Sequence, residues 1–394
     1  MAYNTIVSGA YSTLSITAST NKRDVSDLLD LWAHKDTPLL NRVKWGEGSG
    51  GLQREWISEH LGFGYLLCSA AIASNATTFA PNTGGTGLAT AEVIKQVQAG
   101  TLLYAHISGV SSGTGEVWMT VTGVASATSA IDISFLVTTS EAIAASTKIY
   151  IVGHFAQEGS DPFDDTSRKR AILSNEFTIF RKDVKVTGTM QNTDMYAVEN
   201  EPRHQIAMRL LEMQFERERT ILYSYYEARA TSNAGYMKGV AGFLNGLTAQ
   251  DWVDNTTTTL TESTFNDMVA TCWENGGTPN VFVANKKQIR LFTDWDDSKV
   301  RTRQDARVGG HWITSYLSDM GLEIDLIPLR MAPMNYGFVL DTNLMTLVPK
   351  KNRKLILEKL AKVGDYDRWQ ILSECTLELR KYDMGAHGMF LELS

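Results

Sequence analysis

Cysteine is scarce in this chain: three residues, Cys68, Cys272 and Cys375, lie far apart among 394. No CxxC pair exists, which argues against a zinc knuckle, and the odd count and wide spacing do not support a disulfide framework, so the three read as reduced, mostly buried thiols. The seven histidines are scattered, with no HExxH and no pair at helical spacing, which removes the usual zinc sites. No apolar run reaches the roughly 18–20 residues that span a bilayer, and the N-terminus lacks the basic start and apolar core of a secretory signal. The net charge of −7 has the wrong sign for a dedicated nucleic-acid binder, which carries a basic patch or stripe. No GxSxG elbow occurs. The TGGTG at 83–87 is followed by no lysine and opens no helix, so it reads as a β-turn and not as a phosphate loop. The clusters Asp161/Asp164/Asp165 and Asp294/Asp296/Asp297 lack the spacing of a calcium loop and read as solvated acidic turns. The expectation is therefore no catalytic residue, no cofactor, no metal and no enzyme.

Arginine is missing altogether from Leu61 to Gln157, where six charges occur in 97 residues. Serine, threonine, glycine and alanine fill that stretch, and the short runs EVWMTVTGV, AIDISFLVTT and KIYIVGHF are bounded by turn-rich segments. This pattern predicts a small all-β sandwich or barrel. The flanks are charged strand patterns, LQREWISEHL and KRAILSNEFTIFRKDVKVTG. They would pair as two arms of one hairpin, with the β module inserted at its tip, where insertions are tolerated.

Beyond the hairpin, RAILSNEFTIFRKDVKVTGTM keeps a period of two over nearly twenty residues. Mean strands run about five or six residues, so such a strand would project beyond any single core. A long charged helix follows, EPRHQIAMRLLEMQFERERTILYSYYEARA. Asn200 can cap it and Pro202 suits its first turn. Ile206, Leu210 and Met213 lie on one side and Phe215 and Leu222 elsewhere. Arg209, Glu212, Glu216, Arg217, Glu218 and Arg219 interleave, as on a helix that touches a core on one face and neighbours on others, or one held in solvent by ion pairs. Gly239-Val240-Ala241-Gly242-Phe243 reads as a loop, not a dinucleotide fingerprint. From about residue 260 the pattern is mixed α/β: a capped helix LTESTFNDMVATCWENGG, a buried strand NVFVAN, a helix KKQIRLFTDW, then strands GLEIDLIPL and YGFVLD. In DRWQILSECTLELRKYD, Trp369, Ile371, Cys375, Leu377 and Leu379 share one face, while Arg368, Gln370, Glu374, Thr376, Glu378 and Arg380 share the other. GMFLEL closes the chain as a strand. The first 45 residues read as an arm with a short helix around Leu28, Leu29, Leu31 and Trp32.

In this order the elements resemble the major capsid proteins of tailed bacteriophages, the Hong Kong 97-like fold, in the branch with a β domain inserted in the extended loop. NEFTIFRKDVKVTGTM resembles the returning extended-loop strand, RLLEMQFERERTILY the spine helix, and ENGGTPNVFVANKKQIRLF part of the axial domain. Leu360, Ala361, Lys362, Gly364 and Asp365 resemble the run that precedes the family's closing strand. The resemblance implies an α+β fold with an N-terminal arm at 1–45, an extended loop at 46–62 and 156–190, and an inserted all-β domain at 63–155. A peripheral domain with the spine helix would occupy 191–255 and 345–394, and an axial domain 256–344. It also implies self-assembly, as hexamers and pentamers, into an icosahedral shell around the double-stranded DNA of a tailed phage. The location implied is the virion, after assembly in the host cytoplasm, with no membrane. The partners implied are a portal, decoration or cement proteins, and packaged DNA contacted weakly on the inner face. About 45 residues before the hairpin are too few for a built-in scaffolding segment, so a separate scaffold protein is expected unless the chain is already processed. Charged residues of ribbon and helix, Arg54, Glu55, Arg181, Lys182, Glu216 and Arg219, are candidates to set register between copies more than to add affinity. The alternatives are the shell of a cellular nanocompartment, or a head-decoration or tail protein. A glycan-active enzyme would need paired carboxylates beside aromatic platforms, and the β module has one tryptophan, Trp118, and few acids.

Overall fold

The computed structural model describes residues 37–59, 64–82, 94–107, 115–125, 130–137, 142–145, 147–156, 158–159, 170–193, 198, 200–225, 235–247, 251–254, 259–295, 300–303, 312–330 and 332–393. The expected arm helix, the TGGTG turn, the Asp161 cluster and the last residues of the expected long helix lie outside these. The chain divides into two compact units, one of Met1–Asp36, Lys182–Glu212 and Leu357–Ile371, the other of Thr37–Arg181, Met213–Ile356 and Leu372–Ser394.

Two short strands come first, β1 (Lys44–Trp45) and β2 (Gln53–Ser58). Next come β3 (Tyr65–Cys68), β4 (Thr78–Phe79), β5 (Pro81–Asn82), β6 (Thr101–His106), β7 (Glu116–Ala125), β8 (Ala130–Val137) and β9 (Lys148–His154). They form one antiparallel sheet in the order β4-β8-β7-β6-β9-β3-β5. Because β4 and β5 flank Ala80, the single stretch 78–82 pairs with both β8 and β3 and closes the sheet on itself. Closure leaves no open edge, and alternation sends every second side chain inward. Leu66, Leu103, Val117, Met119, Ile131 and Ile149 fill the interior, each no more than 1% exposed. The scarcity of charge in this stretch follows from that packing, since a small barrel interior cannot solvate ions.

β10 (Ala171–Glu176) runs antiparallel to β2, with Ala171 opposite Ser58 and Glu176 opposite Gln53. The two charged arms thus pair, but the expected strand of nearly twenty residues does not persist. It divides at buried Phe177 into β10 and β11 (Thr178–Thr187), which belong to different sheets. The period of two resumes after the break shifted by one residue: Asn175 and Phe177 are buried before it, and Thr178, Phe180, Val184 and Val186 are buried in β11, with Ile179 exposed. Thr178 is accommodated inside because its hydroxyl accepts the Met237 N–H at 2.7 Å.

A single turn, α1 (Gly188–Gln191), precedes α2 (Glu201–Tyr223), where the Asn200 side-chain oxygen accepts the Arg203 N–H at 3.0 Å as expected of a cap. Residues 239–243, read from sequence as a loop, instead form the cap and body of a short helix, α3 (Val240–Leu244). After β12 (Val253–Asp254) comes α4 (Glu262–Glu274), opened by a Thr261–Thr264 capping box and stopped at Asn275 before left-handed Gly276. β13 (Val281–Ala284), α5 (Lys286–Asp294), β14 (Val300–Arg303), β15 (Trp312–Leu317), β16 (Glu323–Pro328) and β17 (Gly337–Leu340) follow. Then come β18 (Met345–Pro349), β19 (Ile356–Lys359), β20 (Tyr366–Leu379) and β21 (Gly388–Phe390). The mixed sheet β12-β21-β17-β13-β16-β15-β14 carries an aromatic core in which Phe265 stands edge-on to Phe282, Phe292 and Tyr316 at 5.1, 4.9 and 5.5 Å.

The fourth sheet runs β1-β18-β20-β11, with β19 also on β20. From Leu372 on, β20 departs from the simple reading of its alternation. Glu374, Thr376 and Glu378 are buried as fully as Cys375, Leu377 and Leu379. The strand is central and its polar face is covered, so its carboxylates carry cations: Glu374 takes Arg353 at 2.9 Å.

His387 gives this region a pH dependence. It is fully buried; its Nδ1 accepts the Asp341 N–H at 3.3 Å, and its Nε2 lies 3.1 Å from the Arg380 carbonyl oxygen. A second ring proton would face a donor, and burial pushes its pKa down to about 4. The unfolded chain takes up that proton from about pH 6.5 downward, so the stabilisation is complete above that value and is lost as pH falls toward 4. Thermal melts at pH 7 and 4.5 should show His387→Gln losing less stability on acidification than the parent, by about 2–3 kcal/mol. Parallel losses would refute this role for His387.

Candidate subunit interface

β2 and β10 form a sheet of two strands, and its root is locked to the body. Buried Asn175 donates to the carbonyls of Leu377 at 2.7 Å and Lys238 at 3.1 Å, and its side-chain oxygen accepts the Lys238 N–H at 2.7 Å. Arg54 Nε donates to Glu378 at 2.8 Å, and Arg380 Nε donates to the other oxygen of the same carboxylate at 2.7 Å. Trp56 packs edge-on against Phe243 at 6.1 Å. Alternation then turns Glu55, Ile57, Ile172 and Ser174 to the other face, where Ile57 and Ile172 sit directly opposite each other, 66% and 69% exposed.

The six charged candidates lie on three elements. Arg54 and Glu55 point to opposite faces of β2: Arg54 is engaged by Glu378, and Glu55 is exposed. On β11, Arg181 is exposed and Lys182 stands 3.8 Å from Glu212. On α2, Glu216 is half-buried, and exposed Arg219 donates to the Phe215 carbonyl at 3.4 Å. Glu212 also takes both its oxygens to Arg209 Nη1, at 2.5 and 2.7 Å.

Two of the interleaved charges of α2, Arg217 and Glu218, are buried. Glu218 accepts the Leu39 and Leu40 N–H groups at 2.8 and 3.4 Å. Arg217 lies among Trp45, Phe180 and the Met213 sulfur, its guanidinium 5.7 and 5.9 Å from the two ring centres. The signal was present: continuing Ile206, Leu210, Met213 by four-residue steps gives Arg217 and Ile221, the inward stripe of the second half of α2. The three thiols are buried as expected, and burial pushes Cys68 up to about 11 and Cys272 and Cys375 up to about 12, so all stay protonated at neutral pH.

The chain is mixed α/β, with few helices and many strands, and ionic contacts join the ribbon and the central sheet. It superimposes on the Cyanophage A-1(L) capsid asymmetric unit with a TM-score of 0.53 and 11% identity, over 97% of this chain and 99% of that one. The family model described as SU10 major capsid protein matches residues 10–394, and the chain belongs to that family. It is a major capsid protein, a subunit of a phage head shell. Looser likenesses reach a chain of Mycobacterium phage Adephagia, with a TM-score of 0.46 and 7% identity over 97% and 98% of the two chains. Another is the holo-SrpI encapsulin complex of Synechococcus elongatus, with a TM-score of 0.42 and 14% identity over 59% of this chain and 78% of that one. No curated protein matches the chain.

Proposed function

We propose that this subunit has the Hong Kong 97-like organisation and closes an icosahedral head as hexamers and pentamers, with β2 and β10 as the extended loop. Residues 63–155 would be an inserted domain at its tip, 256–344 the axial domain, and 191–255 with 345–394 the peripheral domain. The observation that carries the reading is the ribbon itself. Two strands alone are marginal in water, yet this pair presents Ile57, Ile172 and, at its base, Leu52, which is 73% exposed. A neighbouring copy covering that face would bury what one subunit cannot. The role is structural, with no catalytic step. A separate scaffold protein, a portal and decoration or cement proteins complete the head, assembled in the host cytoplasm. The net charge of −7 supports weak contact with the packaged DNA.

Electron microscopy of the purified chain, with and without a candidate scaffold protein, tests this. Closed shells or rings of five and six are expected, and a small uniform oligomer under every condition would count against it. Ile57→Lys with Ile172→Glu, which sets opposite charges across the strand pair, should abolish assembly while the melting temperature of the unassembled protein moves by no more than about 2 °C, since exposed substitutions usually stay within about 0.5 kcal/mol. Normal shells from that double variant would place the neighbour elsewhere.

A further inference from the structure

The outer face of the closed sheet carries a row of rings that the sequence conceals. Tyr65 on β3 lies opposite Tyr150 on β9, Tyr150 opposite Tyr104 on β6, Tyr104 opposite Trp118 on β7, and Trp118 opposite Val137 on β8. Their chain neighbours Leu66, Leu103, Val117, Met119 and Ile149 point inward, so the whole row points out. With strands about 4.8 Å apart, four aromatic side chains span about 14 Å across the barrel. Tyr104 and Trp118 touch with ring centres 4.8 Å apart and planes tilted by 52°, and Tyr65 and Tyr150 are 6.4 Å apart and tilted by 59°. Tyr65 is the inner end, with the Lys148 ammonium over its ring at 5.1 Å and held there by Glu274 at 2.5 Å. Tyr150, 47% exposed, Tyr104 and Trp118 form the open part. One step along the strands, exposed His106 and Glu116 stand opposite each other, and on the other side Thr120 lies opposite Leu102.

We propose that this row binds a neutral polysaccharide laid across the strands. The apolar C–H faces of sugar rings stack on aromatic rings, and sugar hydroxyls need donors and acceptors beside them, which Tyr hydroxyls, His106, Glu116 and Thr120 supply. Charge selects the class of ligand. From Leu61 to Gln157 there are two lysines against four carboxylates and no arginine, so a polyanion has nothing to neutralise it. The tilted rings make a stepped platform, which fits a single soluble chain better than the flat face of a crystalline polymer. The carboxylates beside the row stand at its two ends and do not face each other as an acid–base pair: Glu116 lies opposite His106, and Glu274 is held by Lys148 at Tyr65, so the site binds without hydrolysing. Trp118 is the one tryptophan of the β module, and the strand register sets Tyr65, Tyr104 and Tyr150 in a row with it.

The test is affinity electrophoresis of the full-length protein through gels containing soluble α-glucan, dextran, mannan or galactomannan, with heparin as the polyanion arm. Retardation by at least one neutral polymer is expected, weakened about tenfold in Tyr150→Leu and again in Trp118→Ala, with unchanged retardation in His204→Ala, far from the row in sequence. Tyr150→Leu keeps apolar bulk without a ring, so its melting temperature should match the parent's. No retardation by any of the four, equal retardation of Tyr150→Leu, or salt-sensitive retardation by heparin alone would each overturn the proposal. So would variants that lose assembly while keeping the parent's retardation, since the face would then join copies of the chain.

Discussion

Replacing Gly242 with alanine is expected to cost about 3 kcal/mol or more, the upper range for overpacking. A Cβ at Gly242 would stand 2.4 Å from the Ser224 carbonyl oxygen, and one at Gly239 would stand 2.5 Å from the Thr220 oxygen and 2.8 Å from the Ser224 nitrogen. Every one of these atoms belongs to the backbone, so no side chain can rotate away. Gly239 also donates its N–H to the Ser224 carbonyl at 2.9 Å, which satisfies an acceptor just beyond the end of α2. The two glycines therefore let α3 approach the end of α2 closely, and their need is for space, since φ at Gly239 is −84°. Thermal melts of the unassembled protein would show Gly242→Ala lower by several degrees. Gly50→Ala, where a Cβ meets nothing within 4 Å, should match the parent. A Gly242→Ala protein as stable as the parent would mean that the two helices slide apart at little cost.

The same glycines show what was legible in the sequence and what was not. The spacing of Gly239 and Gly242 excluded a nucleotide fingerprint, but nothing local says that a helix end will lie against them. Elements set by local rules were readable: the Asn200 cap, the Thr261 capping box with its glycine stop, the buried run Val281–Ala284, and the strands around Trp118, Ile131 and Tyr150. What failed depended on partners distant in sequence. The chain alternates on both sides of Phe177, but its buried face shifts there by one residue, from Asn175 and Phe177 to Thr178 and Phe180, and the strand changes sheet at that slip. The alternation of β20 showed two faces, but not that Arg54 and Arg353, 324 and 21 residues away from their partners, would cover the polar one. Arg217 sat in a run of alternating charge that normally marks a solvated face, and only the rings of Trp45 and Phe180 explain its burial. Of the candidate interface, the pairing of two charged arms was visible, whereas the meeting of Ile57 and Ile172 on its open face, beside Glu55, required the register.

Removing the carboxylate of Glu378 is expected to have the largest effect at the ribbon. The side chain is 1% exposed and bonds Arg54 through one oxygen and Arg380 through the other. Glu378→Ala leaves two guanidinium groups with no anion; their side chains are 35% and 59% exposed, so water screens them and the lost charge-assisted hydrogen bonds cost about 1–3 kcal/mol. Arg54→Ala should cost less, because Arg380 still neutralises Glu378 and the Arg54 side chain is 35% exposed, where water screens the pair. A double replacement, Glu378→Leu with Arg54→Leu, removes the charge along with one partner and leaves Arg380, 59% exposed, to water, so it should recover part of the loss, as apolar substitutes for buried pairs often do. Hydrogen exchange separates two consequences that a melting curve merges. If the carboxylate anchors the ribbon, Glu378→Ala will speed exchange at 53–58 and 171–176 well before the amides of β18, and the double variant will slow it again. If exchange instead rises equally along β18 and β20, the carboxylate serves the central sheet, and the ribbon is held at its root by Asn175, whose four hydrogen bonds to Leu377, Lys238 and Glu176 do not involve the ion pair.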